Sequence, residues 1–194
     1  MQAAEAHFQL RNLEGPARRQ SAAATASYLK QGEAIVAECI RAGNTNASLR
    51  AARETLRQNI ASFELEAGSD PSEVRSSAKR ALRSAGDTNS WDHGNKIMEA
   101  NILQGRAAVR QGKWPEARAY LRAAGKAPAS PQLASYGPDL VFPRELLEHG
   151  APEDREAVLA FLEDISRYWA NPDPRNANSQ SVAEDRLKEI KDWQ

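Results

Sequence analysis

Residues 97–131 read IMEANILQGRAAVRQGKWPEARAYLRAAGKAPASP, and the fold class follows from this stretch. Met98, Ile102, Gly105 and Val109 recur at three- and four-residue steps, the spacing of one helix face, while Ala100, Leu103 and Ala107 occupy another. Apolar residues on two sides imply neighbours on both flanks. Gln111-Gly112-Lys113 breaks the pattern, and Pro115 stands where a first helical turn tolerates proline. Ala117, Leu121 and Ala124 then face back towards the first arm. The spacing predicts two amphipathic helices folded into an antiparallel hairpin.

Downstream, Ser130–Asp139 (SPQLASYGPD) reads as an ordered loop, because its two prolines restrict the chain. Asp139 can cap a short helix that runs to His149 and stops at Gly150. Pro152 opens a helix to about Ala170, with Val158, Phe161, Leu162, Ile165, Tyr168 and Trp169 as a broad apolar stripe. Residues 171–180 are rich in asparagine and proline and read as a linker to a terminal helix, 181–194.

Upstream, Asp70-Pro71 starts a helix over 71–85, whose inner face holds Val74, Ala78 and Leu82 and whose outer face holds Arg75, Lys79 and Arg83. Residues 47–67 carry Leu49, Ala52, Leu56, Ile60 and Phe63 as one buried stripe ending at Gly68. The helical stretch 17–42 places Ala24, Tyr28, Ile35, Cys39 and Ile40 near one face, with Gly32 as either a kink or a turn. A short helix over 3–13 would end at Gly15-Pro16, a stop followed by a rigid restart. No run alternates in the manner of a strand. The expectation is an all-α fold with no sheet: one domain over 1–170, built from degenerate helical pairs (17–85), the hairpin (91–126) and a C-terminal helical pair (139–170).

Within the hairpin, Gly105, Ala108, Gly112, Trp114, Ala117, Leu121 and Ala124, closed by Pro128 or Pro131, resemble a tetratricopeptide repeat. The resemblance covers about residues 97–131, a single unit. It implies small-residue contacts between the arms, Trp114 as an aromatic plug, and a helical array of the kind that binds other proteins.

Composition narrows the function classes. Lys+Arg and Asp+Glu number 26 each, so the net charge is zero, which argues against a general polyanion binder. The distribution is uneven: residues 71–126 hold eleven basic against five acidic side chains, and 127–194 hold seven against thirteen. Attraction between the two regions within one fold accounts for this. Cys39 is the only cysteine, which excludes an intrachain disulfide and a cysteine-based zinc site. The N-terminus lacks the apolar core of a signal peptide and no stretch suits a membrane span, so a cytoplasmic protein without membrane contact is expected.

Reaction chemistry finds little footing. His7, His93 and His149 are far apart, and none has a partner at metal-ligand spacing. Cys39, on an apolar helix face, reads as a buried inert thiol. Gly94-Asn95-Lys96 is not a phosphate loop, and Glu153, Asp154 and Glu156 are ordinary complements to a helix N-terminus. No catalytic residue, no metal ligand and no cofactor is assigned, and the chain is not expected to be an enzyme.

The leading expectation is therefore a helical scaffold or adaptor for a protein or peptide partner, with homo-oligomerisation open. Arg106, Arg110, Lys113 and Tyr136 are its candidate contact residues. Two alternatives remain. One is nucleic-acid binding through the basic rows Arg75/Lys79/Arg83, Arg106/Arg110/Lys113 and Arg118/Arg122/Lys126, which lack interleaved aromatics for base stacking. The other is a small-molecule or enzymatic pocket between helices.

Overall fold

The computed structural model describes residues 15–44, 46–84 and 92–169, together with Glu184, Asp185 and Lys188; the side chains of Ser84, Ser135 and Tyr136 are not described. Among the described residues there are eight α-helices and no strand. The expected helix 3–13 and linker 171–180 lie outside them. Of the expected terminal helix only Glu184, Asp185 and Lys188 are described, and all three are helical and exposed. The chain groups into two compact units, residues 1–84 and 85–194.

In the first unit, α1 (Gly15–Arg41) and α2 (Ala47–Ala67) form an antiparallel pair followed by α3 (Pro71–Ser84). Gly15-Pro16 opens α1, the restart that proline's fixed φ allows at a first turn. Gly32 interrupts nothing, and α1 is continuous through it. Between α1 and α2 the chain turns through Gly43 at φ 95°, and Asn46 caps α2 by accepting the Ser48 N–H at 2.8 Å. Ala22, Ala26 and Leu29 of α1 pack with Ile60 and Phe63 of α2. The alanines let the helices approach closely. Arg18 pairs with Glu66 at 2.9 Å near one end, and Arg53 and Arg57 pair with Glu33 at 2.6 and 3.0 Å towards the other, which sets the antiparallel register. Gly68 ends α2 in the left-handed region at φ 89°, and Asp70 caps α3 by accepting the Ser72 N–H at 2.9 Å. As expected, Val74 and Ala78 are buried; Leu82, expected with them, is half-buried, and Ala81 is buried in addition.

The expected buried face of α1 is the wrong one. Ala24, Tyr28, Ile35 and Cys39 are exposed, and only Ile40 is partly covered. α1 carries two faces with apolar residues, roughly 130° apart at the helical repeat. α2 covers the one bearing Ala22, Ala26 and Leu29, because the charges flanking that face, Arg18 and Glu33, find opposite charges on α2. Cys39 is consequently an exposed free thiol rather than a buried one. On α2, Ile60 and Phe63 are buried as expected, Leu49 and Leu56 are half-buried, and Ala52 is exposed.

The second unit opens with the anticipated hairpin, α4 (His93–Arg110) and α5 (Trp114–Gly125). Gly112, at φ 68°, lets the chain reverse, and the Lys113 N–H donates to the Ala108 carbonyl at 2.9 Å. Short α6 (Pro131–Tyr136) follows, then α7 (Val141–His149) and α8 (Pro152–Ser166), which packs on α5 while α7 packs on α4 and α8. The presumed loop Ser130–Asp139 thus contains a helix: Ser130 caps it by accepting the Leu133 N–H at 3.2 Å, and Pro131 supplies the preset first residue. Asp139 caps α7 through the Val141 N–H at 2.8 Å, as its position suggested.

Met98, Ala108, Leu121, Phe142, Phe161 and Leu162 are central to the core of this unit. α4 is buried on two sides, with Ala100, Leu103 and Ala107 on the second. Beyond α8, three side chains tie the chain to the α5–α6 connection. Arg167 donates to the carbonyls of Gly125 and Ala127, both at 2.7 Å, the Tyr168 hydroxyl donates to the Ala127 carbonyl at 2.8 Å, and Trp169 Nε1 donates to the Ala134 carbonyl at 2.8 Å. The bonds to Gly125 and Ala127 satisfy carbonyls at and just beyond the end of α5 that the helix itself leaves open, and the bond to Ala134 reaches α6.

Candidate interaction surface

The basic rows come first, because they carried the expected contact residues. Arg106 is only 6% exposed and faces Glu145 of α7 with two nitrogens, at 3.0 and 2.8 Å, a forked pairing that suits guanidinium and carboxylate. Arg110 reaches the same carboxylate at 3.3 Å while its side chain stays half-exposed. Arg118 pairs with Asp154 at 2.9 Å and Arg122 with Glu156 at 3.4 Å. The excess positive charge of α4 and α5 is thus directed largely at the acidic residues of α7 and α8, and Arg106 and Arg110 serve internal contacts. Lys113 is exposed at the N-terminal end of α5. The backbone of Tyr136 ends α6, and its side chain is not described. In the remaining row, Lys79 and Arg83 are exposed on α3, and Arg75 is partly covered.

A polar chain links α5, α7 and α8. His149 lies flat on the Trp114 ring, with centroids 3.6 Å apart and planes 9° from parallel, and its Nδ1 meets Asp154 Oδ2 at 2.5 Å. Asp154 is fully buried, accepts from Arg118, and also receives the Ala151 N–H at 3.3 Å. Burial works against ionisation of Asp154, but the hydrogen bonds from His149 and Arg118 outweigh it and hold the carboxyl below its usual range. The observed work of this chain is structural: it seals the start of α8 and joins three helices. Trp114, expected as a plug between the hairpin arms, is half-buried and stacks on the end of α7 instead. His7 lies outside the described residues, and His93 keeps a buried Nδ1 without a hydrogen-bond partner among them. Among the described residues no group of three or more His, Cys, Asp or Glu side chains is placed to hold a metal ion, and no helix is long and apolar enough to cross a membrane.

The surface that stands out is on α1. Within about 60° of Tyr28 around the helix, no residue from 17 to 42 is charged. Ala17, Ala24, Tyr28, Ile35, Cys39 and Ala42 along it are all exposed, with Tyr28 at 65% and Ile35 at 64%. These two are the exposed large hydrophobic residues of the described chain. The charges of the helix, Arg18, Arg19, Lys30, Glu33, Glu38 and Arg41, stand to the sides of this face or away from it. The face stays free of charge for nearly forty ångströms, roughly the length of a 27-residue helix, on a chain with 27% charged residues; Ser21, Thr25 and Gln31 are its polar members. Its members are visible in the sequence, where they read as core. What the sequence lacks is any mark of which of the two faces α2 would cover.

Comparison with protein-family models, with curated proteins and with solved structures finds no match to this chain.

Proposed function

We propose that the chain is a non-catalytic helical interaction module that takes up another protein through the outer face of α1. The exposed, charge-free stripe through Tyr28 and Ile35 carries this reading. Burying a stripe of this kind removes apolar surface from water without desolvating a charge, at about 25 cal/mol per Å² of apolar area. The resemblance of the α4–α5 hairpin to a tetratricopeptide unit points the same way. The contact site differs from the one first expected, since Arg106 and Arg110 are engaged by Glu145.

The test is affinity capture with the wild-type chain and a Tyr28→Glu/Ile35→Glu variant, scored for proteins bound, including a differently tagged copy of the chain. A bound protein lost on the double substitution supports the proposal. An identical set of bound proteins with both baits overturns it.

A further inference from the structure

The stripe on α1 is complementary to itself when a second copy of the helix runs antiparallel against it. Consider a two-fold axis that passes between the two helices, level with the step from Glu33 to Ala34, so that positions whose numbers add to 67 lie opposite each other. Ile35 then faces Gly32 of the second copy, and Tyr28 faces Cys39. Each large side chain meets a small residue, twice over, which is how facing helices interdigitate. A parallel, in-register pair would instead set Tyr28 on Tyr28 and Ile35 on Ile35, and leave Gly32 facing Gly32 across a gap.

Gly32 is the informative position. It lies in mid-helix, where glycine costs about 1 kcal/mol relative to alanine. Nothing in the fold requires it: a Cβ added there would meet no atom within 4 Å, and its φ is not positive. A glycine that the monomer does not need is accounted for by a side chain that comes in from outside. Ile35 of a second copy has the right place and size to do so. The pairing buries no charge, because the stripe has none, and it brings Glu38 near the amide of Gln31 on the opposite helix rather than near another acid. Paired over residues 26–41, the helices touch along about 24 Å. A contact this short is small beside the roughly 1,200–2,000 Å² buried by a stable specific interface, so the association is weak.

We infer that the partner of the α1 face is a second copy of this chain, docked antiparallel with Ile35 seated over Gly32. This rests on the interaction reading above and names its occupant.

Sedimentation velocity on the full chain, from low to several hundred micromolar, should show a reversible monomer–dimer equilibrium. Ile35→Glu should raise the dimer Kd at least tenfold. Gly32→Leu, which has open space in the monomer, should do the same with the melting temperature retained. Orientation is read by cross-linking. In the antiparallel dimer the two Cys39 residues stand about 16 Å apart along the axis, beyond a short bismaleimide, so the native chain should not cross-link. Ile35→Cys in a Cys39→Ser background places two thiols about 5 Å apart along the axis and should oxidise to a covalent dimer. A chain that stays monomeric throughout overturns the inference, as does a dimer indifferent to Ile35→Glu or one cross-linked efficiently through native Cys39. A monomer that still captures a different protein in an α1-dependent manner overturns the self-pairing and leaves the interaction proposal standing.

Discussion

Phe142 of α7 fills the space that any side chain at position 105 of α4 would need. The ring is fully buried, and a Cβ added to Gly105 would overlap its edge. Glycine in a helix interior carries a penalty of about 1 kcal/mol against alanine. Here the penalty is offset by an aromatic ring set directly on the α4 backbone. Gly105→Ala should therefore destabilise the protein by about 1–2 kcal/mol net, because overpacking a filled core outweighs the gain in propensity. Urea unfolding followed by circular dichroism measures it. Gly32→Ala is the matched control and should stabilise the monomer by up to about 1 kcal/mol. Equal effects of the two would mean that the Phe142 ring moves aside.

Arg106 and Glu145 behave as a buried pair. Removing either partner alone leaves the other charge with less solvent than it needs, so Arg106→Ala or Glu145→Ala should cost about 3 kcal/mol. The charge-swapped double variant should recover part of that loss in a double-mutant cycle. Additive losses would show that the two groups do not interact in solution.

Asp154 makes stability depend on acid. Its folded carboxyl titrates below the unfolded one, so the stabilisation is fully present above the unfolded value near 3.8 and is lost as pH falls through the depressed folded value. Glu33 acts in the same direction: burial opposes its ionisation, but Arg53 and Arg57 prevail and lower it. Thermal melts between pH 6 and 2 should show a falling midpoint. Asp154→Asn should be less stable at pH 6 and should flatten that slope. A variant that keeps the wild-type slope would remove Asp154 as its source.

Trp114 is half-buried and owes much of its contact to His149. Trp114→Ala should cost about 2 kcal/mol, below the 3–5 expected of a fully buried aromatic. His149→Ala should change the Trp114 emission, since the imidazole covers one face of the indole. Unchanged emission would show that the rings are not stacked in solution.

Much of this architecture was readable before any coordinates. The hairpin over α4 and α5, the reversal at Gly112, the caps at Asp70 and Asp139, and the all-helical class follow from local rules that neighbouring residues obey on their own. The periodicity of α2 marked Ile60 and Phe63 as core for the same reason. Charge balance also showed that the basic helices had acidic counterparts within the chain. Which residues met was not legible: Arg106 finding Glu145, or His149 stacking on Trp114, depends on how α7 lies against α4 and α5. Nor was the inward face of α1. A helix with apolar residues on two faces satisfies its periodicity either way. The choice fell to Ala22, Ala26 and Leu29 because α2 brings Phe63 against them and places Glu66 and Arg53 within reach of Arg18 and Glu33. The sequence by itself determined the helices and their ends, since those are short-range properties. Only the tertiary structure decided that Tyr28 and Ile35 face outwards, because burial is settled between helices rather than within one.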